Sequence, residues 1–571
     1  MNRSVGRIVL AALCVVSSLM ALTPAFSAAA QVRADTVYVN GIIYTVDDKN
    51  PKVSAMAIKG DKFIFAGSDA DAKKFIGPGT SVIDLKGKTV LPGLIDAHIH
   101  FSGIGEAKMR LDAFWKPKQE ILDAVAAAYK KAKKGEWIQG RGWNQEVWTP
   151  AVFPTKEDLD KVSPDIPVYL GRTDGHAAWV NTKAIEIAGI TKDTPNPAGG
   201  EIIKDAKGEP TGILVDTARG LVSSKIAPLS REKMLEGLLL AQEELLSNGL
   251  TGGHDAGCDL AMIDTLKSLY ESGKLYVRLN ERLRIPDGST SLHEEFYTKG
   301  KQIGLYGNRL TVRGIKISVD GALGSRGALM LAAYSDRKDG WLGNQRVTED
   351  RLYAQVKKAR EAGFQVSTHA IGDAGNRQVL NVYEKILKEM PDTDHRYRIE
   401  HAQVVALDDI PRFAKLGVIP SMQTVHATSD KNMAENRVGP DRIKGAYAWR
   451  KFLNTGVVIP NGTDSPVELI NPFHGLFAAV SRQSRDGQPP GGWYPEEKMT
   501  REEALKSYTI WAAYAAFEEK IKGSIQSGKL ADFVVIDRDY MSCGESEIKD
   551  IRALQTVIGG KVVYPVKQVS K

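Results

Sequence analysis

The middle of this 571-residue chain alternates segments of helical periodicity with short apolar segments that end in His, Asp or Gly. Apolar residues at three- and four-residue spacing predict helices over residues 120–134, 231–248, 348–362, 378–389 and 500–517. Alternation of strands and helices favours a parallel sheet. Polar residues at the C-terminal ends of several strands favour closure into a barrel, because barrel loops converge at that end. We therefore predict an α/β protein with a (β/α)₈ TIM barrel over residues 92–520.

Both ends of the chain differ from this middle. Residues 31–91 and 521–571 contain short β-branched or apolar segments broken by turn dipeptides such as Asn40-Gly41 and Gly559-Gly560, a pattern typical of strands. We predict that the two ends build one small β-sandwich domain. Residues from about 106 to 215 are rich in Trp, Pro and Gly, and we interpret them as an insertion that covers the mouth of the barrel.

The first 30 residues have the pattern of a secretory signal peptide. Arg3 and Arg7 precede a mostly apolar run over residues 8–22, and small residues follow up to Ala30. The apolar run is short for a membrane span of about 20 residues. We therefore expect a periplasmic or secreted protein that is not held at the membrane after cleavage of this leader.

The charge of the chain argues against nucleic acid as a partner. The formal net charge is +7, and removal of Arg3 and Arg7 lowers it by two, to +5. Basic residues do not form a block with interleaved aromatic residues, as a nucleic-acid surface would require. The expected partner is a small-molecule substrate, and assembly into a homodimer stays open.

A pair of histidines closes the first predicted barrel strand. His98 and His100 are two residues apart in LIDAHIH, so on a strand they share a face. Paired imidazoles at a strand end are suitable metal ligands. The alternative is a pair of ordinary polar strand residues.

A lysine occupies an interior position of another predicted strand. In RGIKISVDG, Ile315 and Ile317 alternate with Lys316, Ser318 and Asp320, so the polar set faces the barrel interior. A buried lysine is costly while charged and tends to become a neutral amine. Such an amine can react with carbon dioxide and form a carbamate that bridges two metals. A salt bridge from Lys316 to Asp320 is the alternative.

Three further residues end strand-like segments. His369 and His401 each close a segment that follows a predicted helix, and Asp464 ends the apolar run that begins at Val457. Two histidines at successive strand ends favour a shared metal site, whereas either alone would more often be structural. For Asp464 the alternative is a cap on the next helix.

Taken together, these segments resemble the amidohydrolase superfamily. The similarity extends from about residue 33 to the C-terminus and is strongest to the branch of YtcJ-like and N-substituted formamide deformylase-like proteins (amidohydrolase 3). The motifs that carry it are LPGLIDAHIH, KISVDGALGSR, THAIGD, IEHAQ, NGTDSP and SGKLADFVVID. The fold implied is a (β/α)₈ barrel flanked by a β-sandwich made from both ends.

The resemblance also implies a role for each matching residue. His98 and His100 match ligands on the first strand, Lys316 the lysine that is carbamylated in binuclear members, and His369 and His401 the ligands on strands five and six. Asp464 matches an aspartate that is both ligand and proton shuttle. The implied cofactors are two Zn²⁺ ions, with other divalent metals open, and a carbamylated lysine.

Substrate-side residues are expected around this set. His176 is a candidate for polarising the substrate carbonyl, with packing as the alternative. The candidate substrate contacts are Trp143, Asn144, Asp320, Gln423 and His426. Trp143 has a second interpretation as a core residue, since aromatic side chains are often buried.

The predicted function is hydrolysis of a carbon–nitrogen bond, in an amide, formamide or cyclic amide, by metal-activated water. An esterase, lactonase or phosphotriesterase on the same metals is the first alternative, because the same nucleophile attacks those centres too. The second alternative is a non-catalytic exported binding protein on the same scaffold. The complete set of candidate ligands favours an enzyme.

Overall fold

The computed structural model describes residues 32–285, 297–298 and 300–565. Its centre is a parallel sheet whose neighbours are consecutive along the chain. The strands are Leu94–Ile99, Leu250–Asp255, Arg278–Arg284, Leu310–Ser318, Gln365–Ala370, Arg398–His401 and Ile419–Ser421. We number them as barrel strands one to seven. A short antiparallel strand, Gln302–Gly304, pairs with strand four at the side.

The segment around Asn461 occupies the eighth position and nearly closes the barrel. Asn461 forms a parallel bridge with Met422, and its carbonyl accepts a 2.9 Å hydrogen bond from the backbone N–H of Ala97. Three residues later, the backbone N–H of Asp464 donates to the carbonyl of His98 at 2.8 Å. The eighth segment is thereby joined to strand one. The predicted barrel is confirmed.

Helices pack against the outside of the barrel. The longer helices are Arg231–Ser247, Leu260–Glu271, Glu349–Glu361, Asp373–Glu389 and Pro472–Ser481. Shorter helices are Phe101–Met109, Ile410–Leu416, Thr424–Asp430, Ala434–Arg442, Trp449–Asn454, Arg501–Ser507 and Ile510–Ala515. The side chains of Ile315, Ile317 and Val319 belong to the apolar layer between the strands and these helices. In the part of the chain that the structure describes, no helix is both long and apolar enough to span a membrane.

The prediction of one continuous helix over residues 500–517 is wrong. The helix Arg501–Ser507 ends before Tyr508, and Ile510–Ala515 starts a second one. The break frees two carbonyl groups for the barrel: the carbonyl of Tyr508 accepts from the N–H of Ile95, and that of Ser507 accepts from the N–H of Asn461. Hydrogen bonds to the barrel replace the hydrogen bonds of a continuous helix. Hydrophobic periodicity alone does not reveal this exchange.

Both ends of the chain form the two sheets of a sandwich. One sheet contains Thr36–Val39, Ala55–Lys59, Lys62–Gly67 and Ser81–Asp84. The other contains Ile42–Tyr44, Lys52–Val53, Thr89–Pro92, Phe533–Ile536, Ala553–Ile558 and Lys561–Tyr564. Tyr38, Phe63 and Phe533 belong to the apolar core that joins the two sheets. The strand Phe533–Ile536 pairs with Thr89–Pro92, so the predicted joining of the two termini in one sheet domain is confirmed.

A third sheet lies between barrel strands one and two in the chain. Its six strands are Leu111–Asp112, Ile138–Trp143, Val168–Arg172, Ala177–Val180, Gly200–Lys204 and Pro210–Asp216. The helices Lys118–Tyr129, Lys156–Asp160, Thr182–Ala188 and Gly220–Ser223 accompany it. The predicted insertion over residues 106–215 corresponds to this unit. The predicted leader, residues 1–30, lies outside the described residues.

Candidate metal centre

Three buried side chains meet at the C-terminal end of the barrel. His98 ends strand one, His401 ends strand six, and Asp464 follows the eighth segment. One ligand atom from each lies within 4.8 Å of the others. Two imidazoles and a carboxylate at this separation form a donor set suitable for a divalent cation such as zinc.

Hydrogen bonding fixes the orientation of the His98 ring. Its Nδ1 atom lies 2.7 Å from Glu400 Oε2, so this nitrogen carries the proton. The Nε2 atom is left with its lone pair, 3.5 Å from Asp464 Oδ1. Burial lowers the pKa of His98 to about 4, which keeps the imidazole in the neutral form that binds metal.

His401 is oriented in the same way from the other side of the barrel. Its Nδ1 atom lies 2.7 Å from Gln423 Oε1. His401 and Asp464 have left-handed backbone conformations, with φ of 77° and 56°. Such angles are uncommon for residues other than glycine and tend to persist at functional sites. Strand alternation alone would place Glu400 and His401 on opposite faces, and the turn at His401 allows both to reach His98.

The second predicted strand-one ligand and the strand-five ligand border this cluster. His100 Nε2 lies 3.2 Å from Asp464 Oδ1. The His369 ring centroid lies 4.5 Å from that of His401, and His369 Nε2 is 3.3 Å from Asp320 Oδ1. The structure therefore brings all four predicted histidine ligands and Asp464 to one end of the barrel.

Lys316 lies near the same end of the barrel, and its amine forms no salt bridge with any described residue. Its side chain is buried and lines a cavity of about 980 Å³ together with His100, His369 and Asp464. Within the described ranges its amine has no carboxylate within 4 Å, so the alternative of a Lys316–Asp320 salt bridge is wrong. Burial lowers the pKa of Lys316 to about 8, so a substantial fraction of the amine is neutral near that pH.

Asp320 is instead held by the backbone. Its carboxylate accepts hydrogen bonds from the N–H groups of Leu329, Ile371 and Gly372 at 2.8–3.1 Å. The side chain is fully buried beside His369. Asp320 lines neither cavity at the centre, so this geometry gives no support to the predicted substrate contact.

The donor atoms fit a bound cation. The Nε2 atoms of His98, His369 and His426 are buried and form no hydrogen bond with any described residue. An unsatisfied buried polar group costs about 1–3 kcal/mol, and a coordinated cation would satisfy such atoms. The predicted metal chemistry and the observed donors therefore agree.

His176 approaches the centre from the third sheet. Its ring centroid lies 5.3 Å from that of His369. Asp216 Oδ1 accepts from His176 Nδ1 at 2.6 Å, and Asp216 also accepts from Asn344 Nδ2. The buried carboxylate thus fixes the tautomer and orientation of the imidazole and leaves Nε2 of His176 for the cavity, which this residue lines.

The remaining predicted contacts divide between cavity and core. Asn144 and His426 line a second cavity of about 50 Å³, which also has Asp464 in its wall. Gln423 lies behind His401 as its hydrogen-bond partner. Trp143 is fully buried against Trp148 and lines neither cavity, so the geometry favours its alternative interpretation as a core residue.

Two important side chains had no role in the sequence-based prediction. Glu400 precedes His401 directly, and Asp216 is distant from His176 in the chain. A carboxylate beside a metal-binding histidine is a common partner for an imidazole, which could have drawn attention to Glu400. No local pattern links Asp216 to His176, because their contact depends on the fold of the third sheet.

Comparison with known proteins places this site in a family. Residues 81–564 match the amidohydrolase family. The chain belongs to the amidohydrolase family. As an amidohydrolase it is a hydrolase, and His98, His401 and Asp464 are its candidate metal ligands.

Several relatives are similar over nearly their full lengths. Protein LONG AFTER FAR-RED 3 of Arabidopsis thaliana is 35% identical, with 96% of this chain and 94% of the relative covered. The putative amidohydrolase YtcJ of Bacillus subtilis is 33% identical, with 92% and 99% covered. The N-substituted formamide deformylase of Arthrobacter pascens is 27% identical, with 93% and 98% covered. The predicted YtcJ-like branch is confirmed.

A solved structure supports the amidohydrolase fold. The uncharacterized metal-dependent hydrolase of Pyrococcus horikoshii has a TM-score of 0.71 and 29% sequence identity, with 89% of this chain and 99% of that chain covered. The barrel with a sheet domain at the termini is therefore shared with a protein described as metal-dependent.

Proposed function

We propose that this protein is an exported metal-dependent hydrolase that cleaves a carbon–nitrogen bond in an amide, formamide or cyclic amide. The observation that carries the proposal is the cluster of His98, His401 and Asp464, which opens into a cavity large enough for a small molecule. The similarity to a formamide deformylase over 93% of this chain supports the bond type.

In this proposal two Zn²⁺ ions occupy the centre. The residues that would hold them are His98, His100, Lys316, His369, His401 and Asp464. Lys316 would contribute as a carbamate, which its burial and the lack of a carboxylate partner in the described ranges support. Bound zinc lowers the pKa of water towards about 7 and polarises a carbonyl oxygen.

The protein side chains then move protons and orient the substrate. Asp464 takes a proton from the attacking water and delivers one to the leaving nitrogen, as a general base and then a general acid. His176, whose Nδ1–H is held by Asp216, carries a second proton on Nε2 in its imidazolium form, and this N–H donates to the substrate oxygen and stabilises the charge that develops there. Removing one such contact commonly costs about 10²–10³ in rate.

A substrate panel with metal analysis tests this function. The mature protein is assayed with matched formamides, acetamides, lactams, and the corresponding esters and phosphotriesters. We expect zinc in the purified protein and the highest kcat/KM for a carbon–nitrogen substrate. Faster turnover of every ester than of its matched amide would contradict the bond type, and a protein that binds no divalent metal would contradict the whole proposal.

Two variants connect activity to the site. His98→Ala removes one member of the buried cluster, and we expect loss of both metal and activity. His474→Ala is the matched control, because His474 lies on the helix Pro472–Ser481 and lines neither cavity at the centre. A fully active, metal-replete His98→Ala protein would overturn the assignment of the metal site.

Export and a soluble periplasmic or secreted location belong to the same proposal. The sequence pattern of residues 1–30 supports it. Mass spectrometry of the mature N-terminus from the native host, together with cell fractionation, provides the test. Retention of residues 1–30 in a cytoplasmic protein would contradict it. A homodimer is the proposed assembly, which sedimentation of the purified protein tests.

A further inference from the structure

The cavity of about 980 Å³ has arginines along its walls as well as metal-ligand candidates. The arginines that line it are Arg110, Arg141, Arg219, Arg284 and Arg346. A buried or half-buried guanidinium normally needs an acidic partner, because loss of hydration destabilises the charge. Whether each arginine has such a partner therefore indicates what the cavity is built to receive.

Arg141 is half-buried and has no carboxylate within 4 Å among the described residues. Its Nη2 atom donates to the carbonyl of Thr173 at 3.0 Å, and its Nε atom is buried without any hydrogen-bond partner in the described chain. The pKa of Arg141 is lowered to about 10, mainly by burial; the carboxylate of Asp464 opposes this shift and the nearby cation of Arg219 adds to it. The guanidinium thus retains an unused donor and faces a second positive charge.

Arg219 also lacks an acidic partner among the described residues. Its Nε atom donates only to the backbone carbonyl of Asp216, at 3.3 Å. Neighbouring arginines show the usual arrangement: Arg110 lies 2.9 Å from Glu106, and Arg172 lies 2.5 Å from Asp174. Unlike Arg110 and Arg172, Arg141 and Arg219 line the cavity without an ion-pair partner among the described residues.

The acids that line the same cavity are already engaged. Glu106 and Asp174 pair with the two arginines just named. Asp255 accepts from the backbone N–H groups of Phe101 and Gly257, and Asp259 caps the helix Leu260–Glu271. Asp464 belongs to the candidate metal centre. Among the described residues, none of these carboxylates lies within 4 Å of the guanidinium of Arg141 or Arg219, and Asp464 and Asp174 act on Arg141 only through space.

The backbone directs Arg141 into the cavity. The pairing of the strand Ile138–Trp143 with Val168–Arg172 shifts register between Arg141 and Trp143, and such bulges re-aim side chains. Gly142 between them has a φ of 113°, and a Cβ atom there would lie 2.6 Å from the backbone of Phe114. Arg141 therefore faces the cavity while Trp143 stays in the core.

We propose that Arg141 and Arg219 bind an anionic oxygen group, a carboxylate or a phosphate, on the substrate whose scissile bond lies at the metal centre. This inference rests on the proposed function and specifies its substrate class. Two guanidinium groups suit this task, because their forked donors match the oxygens of carboxylate and phosphate. Arg141 lies on a strand of the third sheet, Arg219 on the 3-10 helix that directly follows the strand Pro210–Asp216, and His176 in the turn before the strand Ala177–Val180. One unit would therefore recognise the anion and orient the reacting carbonyl.

Anion binding can be measured without turnover. Titration calorimetry on the metal-loaded protein compares 3-phenylpropionate, phenyl phosphate and the neutral 3-phenylpropionamide. We expect one of the two anions to bind at least about 10-fold more tightly than the amide, as charge-assisted hydrogen bonds allow. The preferred anion distinguishes a carboxylate substrate from a phosphate substrate. Equal affinity for all three probes would overturn the inference.

Variants locate the bound anion. Arg141→Met and Arg219→Met should each weaken anion binding about 10-fold and leave amide binding unchanged, while Arg141→Lys should retain part of the affinity. Arg110→Met is the matched control, since Arg110 lines the cavity but is paired with Glu106. If His98→Ala weakens anion binding and the Arg141 and Arg219 variants do not, the anion binds to the metal instead, and the inference is overturned.

Activity separates this inference from the proposed function. An active amidase whose kcat/KM does not depend on a substrate carboxylate or phosphate contradicts the anion site alone. Anion binding that requires Arg141 in a protein without hydrolytic activity contradicts the proposed function alone. Circular dichroism of each variant confirms that the fold is intact before binding is compared.

Discussion

Glu400 Oε2 accepts a 2.7 Å hydrogen bond from Nδ1 of His98, and both side chains are buried. Loss of such a carboxylate partner typically weakens metal binding about 10–100-fold. We therefore expect Glu400→Gln to lower the affinity for zinc by this factor, because the neutral amide holds the imidazole less firmly and makes it less basic. Competition with a coloured chelator measures the affinity.

Asp409→Asn is the matched control for this change. Glu400 is also ion-paired with Arg398, at 2.9 Å. Asp409 is likewise a buried carboxylate with arginine partners, Arg377 and Arg412, but it lies at the start of the helix Ile410–Leu416 and lines neither cavity at the metal centre. Equal zinc affinity in the Glu400→Gln protein and the wild type would show that the hydrogen bond to His98 has no influence on the metal.

If the proposed function is correct, Lys316→Ala removes the proposed bridging carbamate and should lower the number of bound metals from the proposed two towards one and abolish most activity. A small carboxylate or bicarbonate should restore part of the activity by occupying the vacated space. Elemental analysis and steady-state rates measure both effects. Ser318→Ala, on the same strand and also lining the cavity, is the control. Full metal content and full activity in Lys316→Ala would eliminate the bridging role.

Much of this architecture could be predicted because it depends on local periodicity. The polar and apolar alternation around Lys316 places Ile315 and Ile317 against the helices and the lysine in the cavity. Asp464 and the histidines at strand ends meet because barrel strands present their C-terminal ends to one chamber. These features need only the strand period and the family motifs.

Other features depend on contacts between distant segments. The carboxylate of Asp216 accepts a hydrogen bond from His176 and orients its ring. Asp216 itself has a left-handed backbone, with a φ of 48°, and no sequence pattern predicts this conformation. The helix Arg501–Ser507 ends where the carbonyl of Tyr508 accepts a hydrogen bond from the N–H of Ile95 on barrel strand one. The sequence suggests Trp143 as an aromatic residue of the substrate pocket. At the β-bulge in this strand, however, Arg141 faces the cavity and Trp143 does not.

The barrel and the sandwich are joined by a buried ion pair whose loss should be costly. Arg278 on strand three donates to both oxygens of Asp532 at 2.6 and 2.8 Å, and both side chains are almost fully buried. Asp532→Asn leaves the guanidinium buried without a countercharge. We expect the free energy of unfolding to fall by about 3–5 kcal/mol, measured by urea titration.

An exposed pair provides the comparison for Asp532. Asp71 forms an ion pair with Lys74 on the surface, where solvent screens the charges, so Asp71→Asn should leave the urea midpoint unchanged. Replacement of both Arg278 and Asp532 by Met and Leu should cost less than Asp532→Asn alone, because no buried charge remains. Equal urea midpoints for Asp532→Asn and the wild type would show that the pair does not stabilise the protein.

His254 should make stability depend on pH. The ring is fully buried, and its Nδ1 atom accepts a 3.0 Å hydrogen bond from Arg398. Burial lowers the pKa of His254 well below 6.5, and the cations of Arg282 and Arg398 lower it further. In the unfolded chain this histidine takes up a proton near pH 6.5, whereas in the folded protein it stays neutral at that pH. The free energy of unfolding therefore falls as the pH drops below 6.5, by up to about 1.4 kcal/mol per pH unit.

His254→Asn removes the titratable imidazole but keeps an oxygen that can accept a hydrogen bond from Arg398. Other histidines titrate equally in both proteins, so the difference between them reports His254 alone. Between pH 6.5 and 5.5 the wild type should lose about 1 kcal/mol more of its free energy of unfolding than the variant does. Urea titrations at both pH values, at one fixed zinc concentration, measure this difference. Parallel losses in the two proteins would mean that His254 accepts its proton in the folded state as readily as in the unfolded chain.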